Sequence, residues 1–275
     1  MIKTLMHKNT PVVSMRISST GALEEIVRVF DESLLPERGE DTTRAMQRWL
    51  LLRGTSTARK DIQPLREFYG SKMFTSVNMR SLFDTYWLKV SADETWDSVN
   101  AFDNWDPDDD DIFLALLYPR DFEGPRYDSP NLTVPGSLER IWYKDETHSL
   151  GIICSDAQKE MSEYNIAKKN NISIVKPKSY FILGGTIFTY EMASTSKDIE
   201  QVSFDSLYNA SEDKSLDKME NLQKCCETFH IPEWEGFLNE MLTFDELCGK
   251  EDRELSDIKV LRDADTLRIL GFDKL

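Results

Sequence analysis

The sequence predicts an α+β fold, on three observations. Strand-like alternation of apolar and polar residues fills residues 1–30 and returns between 137 and 193. Apolar residues three and four apart, the helical period, occupy 41–69, 156–172 and 215–249. Gly184-Gly185 separates SYFIL from TIFTYEMA, and paired glycines supply the positive φ that a two-residue hairpin turn wants. A hydrophobic share of 40% with 11% aromatic residues is enough to bury a core and argues against global disorder.

Each element has its own signal. LMHKNTPVVSMRI alternates as one strand and ends in a turn at Ser18 to Gly21; EEIVRVF, at Glu24 to Phe30, completes a hairpin. Met46, Trp49 and Leu50 place a helix near residue 42, and Ile62 and Leu65 continue in a second helix from Ser56. Arg44, Arg48, Arg53, Arg59, Lys60 and Arg66 cluster here and read as a solvated face, or as a docking patch for an acidic partner. Six aspartates fall within Asp103 to Asp111. They lack the glycine bend of a calcium loop and read as an acidic loop, with Asp108 to Asp111 favouring the N-terminus of a helix starting near Ile112. PRDFEGPRYDSPN, residues 119–131, has the prolines and glycine of a linker. SLERIWYKDETHSLGIIC gives two strands about a Lys144-to-Thr147 turn, and DAQKEMSEYNIAKKNNI a helix. Two amphipathic helices follow, split by His230-Ile231-Pro232, then a polar segment with a short strand at Ile258 to Arg262.

Composition narrows the function. A formal net charge of −16 repels phosphate backbones, so direct nucleic-acid binding is not expected. Nothing approaches the run of about 18 apolar residues that spans a bilayer. MIKTLMHKNTPVVSMRI is interrupted too early to be a signal peptide, which gives a cytoplasmic expectation. Cys154, Cys225, Cys226 and Cys248 form no CxxC and read as reduced, mostly buried thiols. His7, His148 and His230 lack metal-ligand spacing.

Four stretches in order carry a family resemblance: LMHKNTPV; SLFDTYWLKV with WDSVNAFDNW; LTVPGSLERIW; and FLNEMLTFDELCGKEDRELSDIKVLRDADTLRILG. With them the chain resembles the HipA-like serine/threonine kinases, in particular a subgroup from Firmicutes and their mobile elements. The resemblance implies an N-terminal α+β subdomain over 1–118, the linker at 119–131, a kinase-like, β-rich small lobe over 132–205, and a partial helical large lobe with a catalytic-loop remnant over 206–275. Strand, strand, helix, strand, strand is the order of a kinase small lobe.

The same resemblance allows a residue-by-residue check, because phosphoryl transfer needs an orienting carboxylate, metal ligands and a phosphate-gripping cation. Asp252 falls at the catalytic aspartate of the loop that resembles Asp-Arg-His. The usual histidine is Glu254, and the usual metal-binding asparagine is Asp257, whose oxygens suit magnesium. Asp273 stands near the second metal-binding aspartate, where a chain terminus is expected to be poorly ordered. The strand that in the family carries the phosphate lysine is Ser149–Cys154 and has none. Its helix partner corresponds to Glu163, which is left without that cation or is simply an exposed helix carboxylate. Thr133 to Ser137, with Thr133 and Gly136, lies where the family approaches the nucleotide, and Pro135 contributes no N–H to a phosphate cradle.

The reading that follows is an inactive HipA-like pseudokinase acting on a protein partner, in a toxin–antitoxin or phage and host regulatory setting, with no cofactor expected. Two alternatives stand beside it. One is an active serine/threonine kinase using ATP and Mg with altered residues. The other is an acidic interaction module that binds a basic partner.

Overall fold

A computed structural model describes residues 1–18, 22–37, 41–53, 79–107, 129–134, 140–154, 156–174, 176–177, 179–183, 186–213, 215–250 and 253–274. Among them the chain is mixed α and β, with three antiparallel sheets.

The first sheet joins β1 (Ile2–His7), β2 (Thr10–Ile17), β3 (Leu23–Val29) and β4 (Tyr86–Lys89) in the order β3-β2-β1-β4. The stretch expected as one strand is therefore two. The chain reverses at Lys8-Asn9, with Lys8 at φ 48° and His7 opposite Thr10. No glycine or proline pair marks this turn; its one signal is the polar run His7-Lys8-Asn9-Thr10, which reads in sequence as part of a single strand. Helix α1 (Thr42–Arg53) packs Met46, Trp49 and Leu50 against Leu5, Val13, Met15 and Ile17. The helix expected from Ser56 lies outside the described residues. Short helices α2 (Trp96–Val99) and α3 (Ala101–Asn104) cover Met6 and Trp87 on the other face. Asp103 hydrogen-bonds Lys197 at 2.9 Å; Asp108 to Asp111, the helix expected near Ile112 and most of the 119–131 linker also lie outside the described residues.

The second sheet has the order β5-β6-β8-β7, from β5 (Arg140–Lys144), β6 (Leu150–Cys154), β7 (Ser179–Leu183) and β8 (Thr186–Met192). Helix α4 (Ala157–Lys169) lies between β6 and β7 in sequence, and Leu183 pairs with Thr186 across the expected two-residue connection. Asp145 organises the β5–β6 turn, accepting from the N–H groups of Thr147 and Ser149 at 2.9 Å each. Register puts Arg140 opposite Cys154 and Cys154 opposite Thr189; Ile152 stands opposite Glu191. Strand alternation then gives Arg140, Cys154, Thr189 and Glu191 one shared face.

The third sheet, β11-β10-β9, combines β9 (Ile199–Ser203), β10 (Lys259–Asp263) and β11 (Ile269–Phe272). Between β9 and β10 come α5 (Phe204–Ser211), α6 (Lys218–Thr228) and α7 (Trp234–Cys248). The last two are the amphipathic pair expected around His230-Ile231-Pro232. Phe204, Leu222, Cys225, Cys226, Leu238, Met241 and Val260 form their core. The cysteines are free: Cys154, Cys225 and Cys226 are buried, and Cys248 is partly exposed. Among the described residues no helix is long and apolar enough to cross a membrane.

A buried charged joint ties the first sheet to the third. Glu200, on β9, accepts from the Thr85 N–H at 2.8 Å, the Thr85 hydroxyl at 2.6 Å and Arg262 Nε on β10 at 2.6 Å. His7 Nε2 stands 3.4 Å from the same carboxylate. Alongside, Arg53 donates to Asp84 at 2.6 Å and to the carbonyls of Met79 and Tyr86. Burial alone would push the Glu200 carboxyl up; Arg262, helped by His7 and Thr85, outweighs it and holds the group down at about 2. This joint sets β9, and with it β10 and β11, against the segment that leads into β4.

Candidate functional site

A second group of shifted titratable residues is drawn from the second sheet and the start of β10 in the third. Arg140 and Glu191 come from the shared face of β5 and β8, and Lys259 opens β10. Glu160, from the first turn of α4, brings a carboxylate to the same face: its Oε2 accepts from the Thr189 hydroxyl, and its Oε1 lies 3.7 Å from Arg140. At 3.7 Å these two charges attract without a hydrogen bond, and neither Arg140 Nε nor Glu160 Oε1 has another partner.

Crowding by protein shifts each of these groups. Burial, aided by Glu160, Asp273 and Glu163, raises the Glu191 carboxyl to about 7, against the opposing pull of Arg140. Lys259 is lowered to about 8, first by burial and then by repulsion from Arg140; Asp257, Asp273 and Asp205 pull the other way. Its ammonium donates to the Ser256 carbonyl at 2.5 Å. Burial would lower Arg140, but Glu191, the Cys154 thiol and Glu160 outweigh it and raise its pKa. Yet 40% of the Arg140 side chain still meets solvent. Titratable groups shifted towards neutrality beside one another make this cluster a candidate functional site.

Asp273 was expected at a poorly ordered terminus. Instead it follows β11, is 8% exposed, and is held on three sides. Its Oδ1 accepts from the Ser194 hydroxyl at 2.7 Å and the Lys274 N–H at 2.9 Å, Gln201 donates to its Oδ2, and its own N–H bonds the Lys259 carbonyl at 2.9 Å. The β9 and β11 strands that build this cradle went unread in the sequence, and so did its order.

Glu163 was expected to lack a cation. It has one: Lys250 Nζ stands 3.0 Å from its Oε2. Helix α7 ends at Gly249, whose φ of 66° suits a residue without a side chain, and the Lys250 N–H returns to the Asp245 carbonyl at 2.8 Å. That reversal points Lys250 at α4. Nearby, Arg253 grips Asp245 through Nε at 2.8 Å and through a second nitrogen. The two pairs fasten Lys250 and Arg253 to α4 and α7.

Asp257 is exposed on the turn Leu255–Asp257, yet it acts with Asp273 on Lys259. Asp257 and Asp273 pull on Lys259, while Asp273 and Glu163 act on Glu191. Thr133 takes no part in this group: it is buried, and its hydroxyl donates to the Pro130 carbonyl at 2.8 Å beside Ser81. Asp252 and Gly136 lie outside the described residues. Arg140, Glu160, Glu191 and Lys259 escaped the sequence reading. Alternation in RIWYK and TIFTYEM gives the face of Arg140 and Glu191, but only strand register and the meeting of two sheets bring them to Lys259.

Asp257 and Asp273 fit a magnesium ion poorly as a pair. Both oxygens of Asp273 already accept hydrogen bonds, so a metal there has to displace one of them. Among the described residues, no three His, Cys, Asp or Glu side chains gather closely enough to hold a metal. No family model matches the chain, and no curated protein matches its sequence.

Proposed function

We propose that this chain is a relative of the HipA-like kinases that does not transfer phosphate and works by binding a protein partner. One observation carries the reading: the groups facing one another at Glu191 and Lys259 are mainly carboxylates. Glu160, Glu163, Glu191, Asp257 and Asp273 act on Arg140 and Lys259 or on each other, and two further cations are already engaged, Lys250 by Glu163 and Arg253 by Asp245. A triphosphate brought here meets like charge, and electrostatic stabilisation is the largest part of phosphoryl-transfer catalysis. The order β5, β6, α4, β7, β8 supports the kinase-like side of the reading.

A second reading, an active kinase, is favoured by the firm hold on Asp273 and by the Arg140–Glu160 pair, which offers a cation one strand away from the expected lysine position. Thermal unfolding with millimolar ATP and magnesium separates the two readings, since a ligand of the native state raises the melting temperature by mass action. The non-transferring reading expects no rise and no label moved from γ-labelled ATP to any acceptor. A clear rise, with transfer that disappears in Asp252→Ala, establishes the active kinase instead.

A further inference from the structure

His7 is a buried histidine placed between two sheets. It ends β1, pairs with Thr10 and Tyr86 in the first sheet, and is 4% exposed. Its Nε2 stands 3.4 Å from Oε1 of Glu200, a fully buried carboxylate on β9 of the third sheet. That separation is beyond the usual hydrogen-bond range of about 2.7–3.2 Å, and among the described residues Nε2 makes no hydrogen bond. The ring packs against Tyr86, 4.7 Å between centres. A buried polar atom this close to a charge and still unbonded needs a physical account. Neutral imidazole offers the carboxylate either a lone pair, which repels it, or an N–H that is out of reach. Imidazolium carries N–H on both nitrogens, and a shift of about half an ångström then makes a charge-assisted bond.

The neighbouring charges decide what such a proton does. Glu200 is held by Arg262 from β10 and by Thr85, and Asp84 is held by Arg53 from α1. Burial and Arg262 oppose an imidazolium at His7, while Glu200, the carboxylate it faces, favours one. Asp84 is the other group of this joint that can take up a proton, since burial raises its carboxyl against the pull of Arg53. The next residue, Lys8, reaches the turn between β10 and β11 and pairs with Asp265 at 2.6 Å. Two consecutive residues of the β1–β2 reversal thus meet the third sheet, one through a formed ion pair and one across the 3.4 Å gap.

We propose that His7 is a proton-dependent latch between the first and third sheets. With the imidazole neutral, the Thr85–Glu200 bonds and the Lys8–Asp265 pair join the sheets. With it protonated, Nε2 donates to Glu200 and adds a further tie. A state that binds a proton more tightly is favoured as pH falls, so the joint closes more firmly in acid. The latch needs neither a kinase ancestry nor a protein partner, and it stands or falls apart from the partner-binding reading.

The test is a double-mutant cycle of His7→Gln and Glu200→Gln on the whole chain, read by urea unfolding at about pH 5.5 and about pH 8, either side of the ordinary histidine range. The cycle isolates this pair, because Asp84, Arg53 and Arg262 are present in all four proteins. Coupling between the two positions is expected to favour folding about tenfold more at the lower pH. Coupling that is equal at both, or larger at the higher pH, overturns the latch. If Glu200→Gln does not fold, the imidazole nitrogen shifts of the wild-type protein decide. His7 is expected to carry a proton on both nitrogens at about pH 5.5 and on one at about pH 8. Its Nε2 proton in acid is expected to exchange about tenfold more slowly than those of the exposed His148 and His230. One protonation state of His7 at both pH values, or an Nε2 proton that exchanges as fast as those of the exposed histidines, overturns the latch.

Discussion

Arg262 and Glu200 form an ion pair at 2.6 Å between β10 and β9, and the same carboxylate takes the N–H and hydroxyl of Thr85 from the first sheet. Both carboxylate oxygens are satisfied, the feature that separates a tolerated buried charge from a costly one. Glu200→Ala leaves Arg262 charged and buried, and it strands the Thr85 donors. A loss of about 3–5 kcal/mol in urea unfolding is expected. Replacing both partners by apolar residues, as in Glu200→Leu with Arg262→Met, is expected to cost clearly less than the sum of the single changes. An additive double mutant means that the pair does not act as a unit.

Gly151 marks a close approach within the second sheet. A Cβ built there lies 2.2 Å from a Tyr190 ring carbon and 2.4 Å from the Glu191 carbonyl oxygen. Gly151→Ala therefore forces both a side chain and the backbone of β8 to move, with an expected cost of about 1–3 kcal/mol. Adding Tyr190→Leu clears the ring but not the carbonyl, so the double mutant is expected to recover only part of the loss. Full recovery in chemical denaturation places the whole conflict in the ring.

The parts of the fold governed by local pattern were legible. The β5–β6 hairpin, α4, the Leu183–Thr186 connection and the α6–α7 pair each carry a period or a turn signal within their own residues. What escaped depends on long-range pairing. β9 and β11 are edge strands on either side of β10, and IEQVS and ILGF are too short to show a period. The reversal at Lys8 uses a positive φ in a residue that advertises none. In the candidate site, Asp257, Glu163 and Asp273 were singled out as likenesses of a catalytic-loop ligand, a helix carboxylate and a second metal aspartate, whereas Arg140, Glu191 and Lys259 gain their meaning from distant groups. Lys250 was overlooked as the partner of Glu163, 87 positions away in sequence, because Gly249 ends α7 and turns the chain back.

Thiol chemistry gives a direct reading of packing around α6. Burial first, then nearby carboxylates or thiols, pushes Cys154 up to about 12 and Cys226 to about 12, while burial pushes Cys225 to about 11. The reactive thiolate is scarce at these positions near neutral pH. Burial and then Glu163 raise the Cys248 thiol as well, against Lys250 and Arg253, but it is the partly exposed one and is expected to be the first modified by iodoacetamide in the native protein, with the other three following only on unfolding. Rapid native labelling of Cys225 or Cys226, located by peptide mass spectrometry, contradicts the packing of α6 against α5.

Glu191 and Lys259 together predict a trough in stability near neutrality. Glu191 has a folded pKa of about 7 against a reference of 4.5, so its neutral form is favoured by folding; that contribution is full below 4.5 and is lost as pH rises through 7. Lys259 has a folded pKa of about 8 against 10.5, so the folded state gives up its proton first, and stability rises as pH climbs from 8 to 10.5. Between 7 and 8 both groups are charged in the folded protein, and the repulsions from Asp273 and Arg140 act at once. Allowing for their partial exposure, each contribution is on the order of 2 kcal/mol. Urea midpoints measured across this range are expected to show wild type losing stability relative to Glu191→Gln on the acid side of the trough. On the alkaline side, wild type is expected to gain relative to Lys259→Met. Parallel profiles for wild type and both variants would mean that the two groups are solvated normally and that the sheets do not hold like charges together.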